Sequence, residues 1–263
     1  MVTKSRNPKS VVDSSGFPLQ IRISDIAKSS SKWQIFSEEH PWRSTDHQSE
    51  GFIDLIIVDR VNSLQTMVIE CKRVRQTSWV FLIPNLTPQE RSHARLWVSV
   101  FEYPKWDHFN WEDWQPEPTS YESKYCAIPG QEQGRHNLLE RSAAELIESV
   151  EALALQEKEL NDNQASTNFA FSRVYIPVIV TTAELVVAIF EPNSISLSDG
   201  SLPDQAVFQS VPYIRFRKSL TSSYLSSKCR QTIKEVYQET ERTVFVVNAG
   251  HFNKFINSWE MNE

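Results

Sequence analysis

The stretches FIDLIIV at residues 52–58 and TMVIECK at residues 66–72 decide the fold class of this 263-residue chain. Both are runs of β-branched and other apolar residues of the length of one strand, and a short polar segment separates them. They therefore predict an antiparallel hairpin of two buried strands. Because side chains alternate between the two faces of a strand, Asp54 lies on one face of the first strand. Glu70 and Lys72 share one face of the second, so the hairpin brings two carboxylates and one amine together.

These three side chains have the chemistry of a metal-dependent hydrolytic site. A carboxylate in an apolar strand costs free energy unless its charge is paired or bound to a cation, and carboxylate oxygens suit Mg²⁺ or Mn²⁺. A bound divalent ion polarises a phosphodiester and acidifies a water, while a charged Lys72 offsets negative charge in the transition state. A lysine beside two carboxylates is expected to stay protonated. The alternative is a structural ion network in which Asp54 and Glu70 pair with Lys72 and Arg73.

The segment from Gly51 to Arg73 resembles the D-x(n)-(D/E)-x-K signature of the PD-(D/E)XK, or restriction-endonuclease-like, nucleases. Ile53 stands where the signature has proline, a common departure. The Q-x-x-x-Y pattern of the RecB-like subgroup does not follow Lys72. The resemblance covers about thirty-five residues when the acidic pair Glu38 and Glu39 is included, and the rest of the chain matches no subfamily that we can name.

The resemblance implies roles for particular residues. Asp54, Glu70 and Lys72 would be catalytic, and Arg73 and Arg75 would contact the phosphates of a bound strand. The implied metal ligands are Asp54, Glu70, the backbone carbonyl of Cys71 and an acidic residue near the first core strand, for which Glu39 is favoured over Glu38.

The resemblance also implies a function. It predicts a nuclease that uses Mg²⁺, with Mn²⁺ as a substitute, and that acts on DNA rather than RNA, as an endonuclease in restriction or anti-phage defence. A homodimer, or a subunit of a larger complex, is the expected assembly. Two alternatives remain: a catalytically inactive relative that serves as a binding or scaffolding subunit, and an unrelated α/β enzyme in which Asp54 and Glu70 are structural.

Composition sets limits on this interpretation. The net charge of −6 is unusual for a protein that binds nucleic acid by bulk electrostatics, so a local basic surface is needed. Besides Arg73 and Arg75, the run of Arg215, Arg217 and Lys218 is the best basic candidate. Three scattered cysteines fit neither a disulfide framework nor a zinc site. Together with the lack of a signal peptide or a membrane-spanning run, they predict a cytoplasmic protein that does not bind membranes.

The pattern along the chain predicts one domain over residues 1–263, with a mixed α/β sheet flanked by helices. A flexible arm is expected over residues 1–18 and an insertion rich in proline and aromatic residues over 84–135. The aromatic residues of this insertion could stack on bases, but the packing of a subdomain or an oligomer contact is favoured. Helices are predicted over 19–30, 138–158 and 228–239 and from His251, and further strands over 33–36, 173–182, 185–190, 211–216 and 243–247.

Overall fold

A computed structural model describes residues 7–44, 48–61, 64–87, 89–102, 105–131, 136–164, 170–220 and 240–262. The helices are α1 (Pro8–Ser15), α2 (Phe17–Lys28), α3 (Leu138–Gln164) and α4 (Phe252–Ser258). The strands of the first half are β1 (Trp33–Arg43), β2 (Glu50–Asp59), β3 (Gln65–Lys72), β4 (Ser78–Ile83), β5 (Ala94–Glu102), β6 (Lys105–Glu117), β7 (Glu122–Ser123) and β8 (Cys126–Ala127). Those of the second half are β9 (Ala170–Thr181), β10 (Glu184–Ile189), β11 (Val207–Ser210), β12 (Tyr213–Ser219), β13 (Glu241–Asn248) and β14 (Glu260–Asn262).

The predicted hairpin is confirmed and lies inside a large mixed sheet. The strand order is β1-β2-β3-β9-β13-β12-β7, and β5, β6 and β14 extend the sheet from β9. The β1–β2, β2–β3 and β12–β13 pairs are antiparallel, whereas β3–β9 and β9–β13 are parallel. The sequence-based prediction of a mixed α/β sheet is therefore confirmed.

Helices cover both faces of this sheet, and each face has its own hydrophobic core. On one face, α3 packs Leu139, Ala143 and Ile147 against Ile56 and Val68 of the hairpin. The apolar residues of α3 recur with the helical period, which is why one stripe of this long helix is buried. On the other face, α2 and α4 pack against a second set of strand residues, which includes Leu55, Ile57, Met67 and Ile69.

The segment predicted as an insertion over 84–135 contains β5 to β8. Strand β5 pairs with β9, with Trp97 opposite Tyr175, so the segment adds strands to the central sheet. Its aromatic residues pack on one another: the Trp97 ring meets Trp111 edge-to-face at a centroid distance of 5.6 Å and Phe109 at 5.0 Å. The packing interpretation of these rings is therefore confirmed. A separate four-stranded sheet has the order β11-β10-β4-β8.

The arm predicted over residues 1–18 contains a helix. Its first turn is capped by the Asn7 side chain, which accepts a hydrogen bond from the Lys9 amide, and Pro8 occupies the first turn, where its missing N–H costs nothing. Gly16 ends α1 with a φ of 86°, a conformation open to glycine. No residue of α1 is buried, so this helix contributes little to the core.

Two other sequence-based predictions concern a helix near the end of the chain and the absence of a membrane-spanning segment. The helix predicted over 228–239 lies outside the described residues. Among the helices of the described segments, none combines the length with the apolar composition that crossing a bilayer requires.

Candidate active site

Asp54 and Glu70 lie where strands β2 and β3 separate. The ladder between the two strands has its last pair at Leu55 and Ile69, so Asp54 and Glu70 are the next residues in register beyond it. One carboxylate oxygen of Asp54, Oδ2, occupies the gap and accepts a hydrogen bond of 2.7 Å from the backbone N–H of Cys71. The structure thus brings together the two carboxylates that the strand alternation predicted to converge.

The Cys71 backbone faces the same gap. In a β-strand, the N–H and C=O of one residue point in the same direction. The Cys71 N–H points to Asp54, and therefore the Cys71 carbonyl points in the same direction. The Lys72 carbonyl points the other way and accepts a hydrogen bond from the Thr182 N–H. Burial raises the pKa of the Cys71 thiol well above its usual range. The carbonyl oxygen, rather than a thiolate, is the group that Cys71 offers to a ligand.

Glu70 and Lys72 form an ion pair on the face predicted for them. The Lys72 Nζ and Glu70 Oε1 atoms are 2.6 Å apart, and the side chains are 24% and 20% exposed. Burial, followed by repulsion from Asp54, raises the pKa of the Glu70 carboxyl to about 7. Burial also raises the pKa of Asp54. With both carboxylates ionised, the site has two negative charges beside the one positive charge of Lys72.

Lys72 stays protonated in this environment. Burial disfavours its charged form, but attraction to Glu70, to Glu145 and to Asp54 outweighs the burial and raises its pKa. A lysine with a raised pKa is a charge-stabilising group rather than a proton acceptor, as the sequence predicted.

Glu39 lies directly beside Asp54. Strand β1 pairs Glu38 with Leu55 and His40 with Ile53, so Glu39 is opposite Asp54, and its charge contributes to the raised pKa of Asp54. Glu39 has a φ of 53°, a left-handed conformation that costs free energy in a residue other than glycine and that is concentrated at functional sites. Glu38 instead pairs with Lys28 at 2.7 Å. The preference for Glu39 over Glu38 therefore agrees with the geometry.

Gln20 holds this acidic group together. Its side-chain amide, on α2, donates to the Glu39 carboxylate and, at 3.2 Å, to the backbone carbonyl of Asp54. Sequence reasoning missed Gln20, because an amide on the polar side of a helix carries no local signal of a long-range contact. Glu145 on α3 acts electrostatically on both Glu70 and Lys72.

Two cavities meet at Glu70. We call the first the arm pocket: it has a volume of about 310 Å³ and is lined by Ser15, Phe17, Asp54, Lys72 and Arg73, among others. We call the second the hairpin cleft: it has a volume of about 480 Å³, lies between the β1–β2 hairpin and α3, and is lined by Trp42, Phe52, Glu145, Glu148 and Ser149, among others. Glu70 lines both cavities.

The basic residues predicted to contact nucleic acid fall into two groups. Arg73 lines the arm pocket and Arg75 is exposed, and both arginines act electrostatically on Asp13 of α1. The prediction for the run 215–218 is wrong. Arg215 is fully buried and donates to the Ser120 hydroxyl at 2.8 Å. Arg217 pairs with Asp113 and Glu241, and Lys218 pairs with Glu140.

The donor set fits a hard divalent cation. Within the described segments, no group of three or more His, Cys, Asp or Glu side chains is placed to hold a metal ion. Mg²⁺, however, is usually held by one or two carboxylates and keeps several waters. Asp54, Glu70 and the Cys71 carbonyl are such a set, and they differ from the nitrogen and sulfur ligands that zinc prefers.

Replacing Glu70 by glutamine is expected to raise the free energy of unfolding of the metal-free protein at about pH 8 by roughly 1–2 kcal/mol. The folded state raises the carboxyl pKa from 4.5 to about 7, so it retains a proton that the unfolded chain releases. The contribution of Glu70 to stability is therefore largest below pH 4.5 and is lost as the pH rises towards about 7. Chemical unfolding in EDTA at about pH 5 and pH 8 measures this difference.

The control for this experiment is Glu38→Gln, which removes the ion pair with Lys28 and is not expected to stabilise the protein. A Glu70→Gln variant that is no more stable than the unchanged protein at the higher pH would contradict the burial of an ionised Glu70.

The geometry also bears on the alternative of an unrelated α/β enzyme with structural carboxylates. That alternative would be favoured if the two carboxylates lay far apart or on opposite faces of the sheet, and they lie together at one gap. Comparison of the chain with protein-family models, with curated proteins and with solved structures gives no match.

Proposed function

We propose that this protein is a metal-dependent nuclease of the PD-(D/E)XK superfamily that hydrolyses phosphodiester bonds. The observation that carries the proposal is the convergence of Asp54, Glu70 and Lys72 at the open end of the β2–β3 hairpin. The surplus of buried negative charge there matches a site that binds a cation. A purely structural ion network would be expected to balance its charges, because an uncompensated buried carboxylate is destabilising.

The architecture supports the same assignment. A restriction-endonuclease-like fold is expected to have a mixed sheet whose central hairpin carries the site, with helices on both faces. The β2–β3 hairpin has this position, with α3 on one face and α2 on the other. We therefore propose a restriction-endonuclease-like fold for the sheet and these helices.

Each residue of the proposed site would have its own role in the hydrolysis. Asp54, Glu70 and the Cys71 carbonyl would hold Mg²⁺, with Mn²⁺ as a substitute, and Glu39 adds negative charge beside Asp54. The metal would supply Lewis-acid polarisation of the phosphodiester and acidify a bound water. Lys72, oriented by its ion pair with Glu70, holds its charge towards the phosphate oxygens that become more negative in the transition state. Arg73 and Arg75 contact the neighbouring phosphates.

By the same resemblance we propose DNA rather than RNA as the substrate, in the cytoplasm. We also propose that the protein acts as a homodimer or with a partner protein. An acidic chain with few exposed cations at the site binds DNA weakly by bulk electrostatics. A second subunit or partner would supply further contacts to the DNA, and restriction or anti-phage defence would be the setting.

Metal binding is expected to depend on Asp54. Calorimetry with Mn²⁺ should detect binding to the unchanged protein and at least about a tenfold weaker affinity for Asp54→Ala, because one of two carboxylate ligands is lost. Glu38→Ala, which removes a carboxylate on the same sheet but outside the site, should bind Mn²⁺ normally. Equal affinities for the Asp54 and Glu38 variants would place the metal elsewhere.

The activity is tested with supercoiled plasmid, linear duplex, single-stranded DNA and RNA, each with Mg²⁺, Mn²⁺ or EDTA. The proposal predicts cutting with either metal and none in EDTA. If no substrate is cut and no Mn²⁺ binds, the protein is instead an inactive relative that serves as a binding or scaffolding subunit.

A further inference from the structure

We infer that Phe17, at the start of α2, stacks on the base of a nucleotide held in the arm pocket, which makes DNA with an unpaired nucleotide at the cleaved phosphodiester the preferred substrate. This inference rests on the proposed nuclease function and adds to it a substrate class and a residue that determines specificity.

The arm pocket has two walls that differ in chemistry. One wall is the open end of the β2–β3 hairpin and contains the proposed catalytic residues Asp54, Glu70 and Lys72. The other wall is the corner between α1 and α2, which contributes Ser14, Ser15, Gly16, Phe17 and Gln20. A molecule in this pocket therefore contacts the catalytic residues on one side and the corner on the other.

The side chain of Phe17 projects from α2 towards the catalytic residues. Phe17 precedes Gln20 by three residues, and residues three apart are neighbours on the surface of a helix. The Gln20 amide reaches the backbone carbonyl of Asp54 at 3.2 Å, which fixes the side of α2 that faces the site. The Cα–Cβ bonds of a helix tilt towards its N-terminus. The Phe17 ring therefore extends from the first turn of α2 into the wall of the arm pocket.

This ring is exposed although it lies in a catalytic pocket. Phe17 is 57% exposed, whereas α2 packs on the sheet through a face that includes Ile23 and Ala27. The ring is therefore not needed for the core of the protein. Every nucleobase has a face that can stack on an aromatic ring, and stacking removes the apolar surface of both partners from water.

The charges of the pocket determine how a nucleotide would lie in it. Lys72 and Arg73 line the hairpin wall and attract a phosphate, whereas Phe17, across the pocket, is uncharged. A nucleotide with its phosphate at Lys72 and Arg73 therefore directs its base towards Phe17. The pocket volume of about 310 Å³ suits a single small ligand.

This arrangement selects for unpaired nucleotides. A base held in a Watson–Crick pair is stacked between its neighbours inside the duplex, and it must be extruded before a side chain beside its own phosphate can stack on it. Extrusion costs free energy in a duplex, and the cost is smallest where the nucleotide is already single-stranded or mismatched. We therefore expect single strands to be preferred over intact duplex.

The test measures binding with Asp54→Asn as the parent, so that the strand is not cut. Fluorescence anisotropy with a labelled single DNA strand should give an affinity about 5- to 150-fold weaker for Phe17→Ala, the range that one stacked base contributes. Phe17→Trp keeps an aromatic ring and should bind like the parent. The matched control is Ile21→Ala, which removes a side chain of 69% exposure from the next turn of α2. Ile21 is not among the described residues that line the arm pocket, so its loss should leave the affinity unchanged.

A blunt duplex and an abasic strand complete the test. The duplex should bind the parent, Phe17→Ala and Ile21→Ala equally. When a single abasic position is moved along the strand, the parent should lose affinity at one position, and Phe17→Ala should no longer distinguish that position, because the two changes remove the same contact.

Two results would overturn the inference: Phe17→Ala binding the single strand as tightly as Ile21→Ala does, or weakening duplex and single strand by the same factor. If the unchanged protein cuts DNA in that case, the nuclease proposal still stands. If it cuts nothing and binds no metal, yet the abasic effect is present in the parent and lost in Phe17→Ala, the nuclease proposal fails and the nucleobase site remains.

Discussion

Replacing Lys72 by methionine is expected to slow metal-dependent cleavage by about 10²–10³-fold, the usual effect of removing one group that stabilises transition-state charge. The ammonium group of Lys72 is fixed by its 2.6 Å contact with Glu70, and the surrounding carboxylates keep it charged. Methionine preserves the length of the side chain and removes only the charge. Single-turnover cleavage, at saturating protein, measures the chemical step separately from binding.

A measurement of metal affinity distinguishes a catalytic role of Lys72 from a structural one. Because Lys72 is not a ligand, the affinity of Lys72→Met for Mn²⁺ should be unchanged or higher, since Glu70 no longer shares its charge with an ammonium group. Lys218→Met is the matched control: it breaks a lysine–glutamate pair with Glu140, outside both cavities. A Lys72→Met variant that cuts as fast as the unchanged protein would remove Lys72 from the chemistry.

Replacing Trp97 by alanine is expected to lower the free energy of unfolding by about 3–5 kcal/mol. Trp97 is fully buried, meets Phe109 and Trp111 edge-to-face, and donates from Nε1 to the Ser99 hydroxyl at 3.0 Å. The alanine would leave a cavity beside β5, which pairs with β9 in the central sheet. Equilibrium unfolding in urea measures the change, and an unaltered m-value would show that the same surface unfolds.

The control is Trp106→Ala in the adjacent strand β6. Trp106 is partly exposed, although it packs on Phe101 and donates to Asp162, so its loss should cost less. If Trp97→Ala left the stability unchanged but weakened the binding of nucleic acid, these aromatic residues would be a base-binding surface rather than a core.

The sequence predicted the hairpin well because its signals are local. The alternation of apolar side chains in residues 52–58 and 66–72 fixes which face each residue occupies, and the short connection fixes the antiparallel pairing. Together they bring Asp54, Glu70 and Lys72 to one place before any long-range contact is known. The helix over 138–158 was equally clear, since its apolar stripe repeats over several turns, although it begins at Leu138 and continues to Gln164.

The parts that the sequence did not predict depend on long-range packing or on unusual backbone geometry. Gln20 reaches Glu39 and Asp54 only because α2 packs on the hairpin. The left-handed φ of Glu39 has no sequence signal, because glutamate rarely adopts it. The run 215–218 appeared as a basic surface because sequence shows charge but not burial, and strand β12 directs Arg215 into the interior.

The most direct measurement of the central claim compares the cleavage rates of the unchanged protein and Asp54→Ala on the same DNA, with Mg²⁺ and with EDTA. Asp25→Ala, which removes an exposed aspartate paired with Arg22, is run beside them as a control. The account predicts Mg²⁺-dependent cutting by the unchanged protein and by Asp25→Ala, and none by Asp54→Ala. Cutting by Asp54→Ala at the rate of the unchanged protein would show that the active site is not at the β2–β3 hairpin.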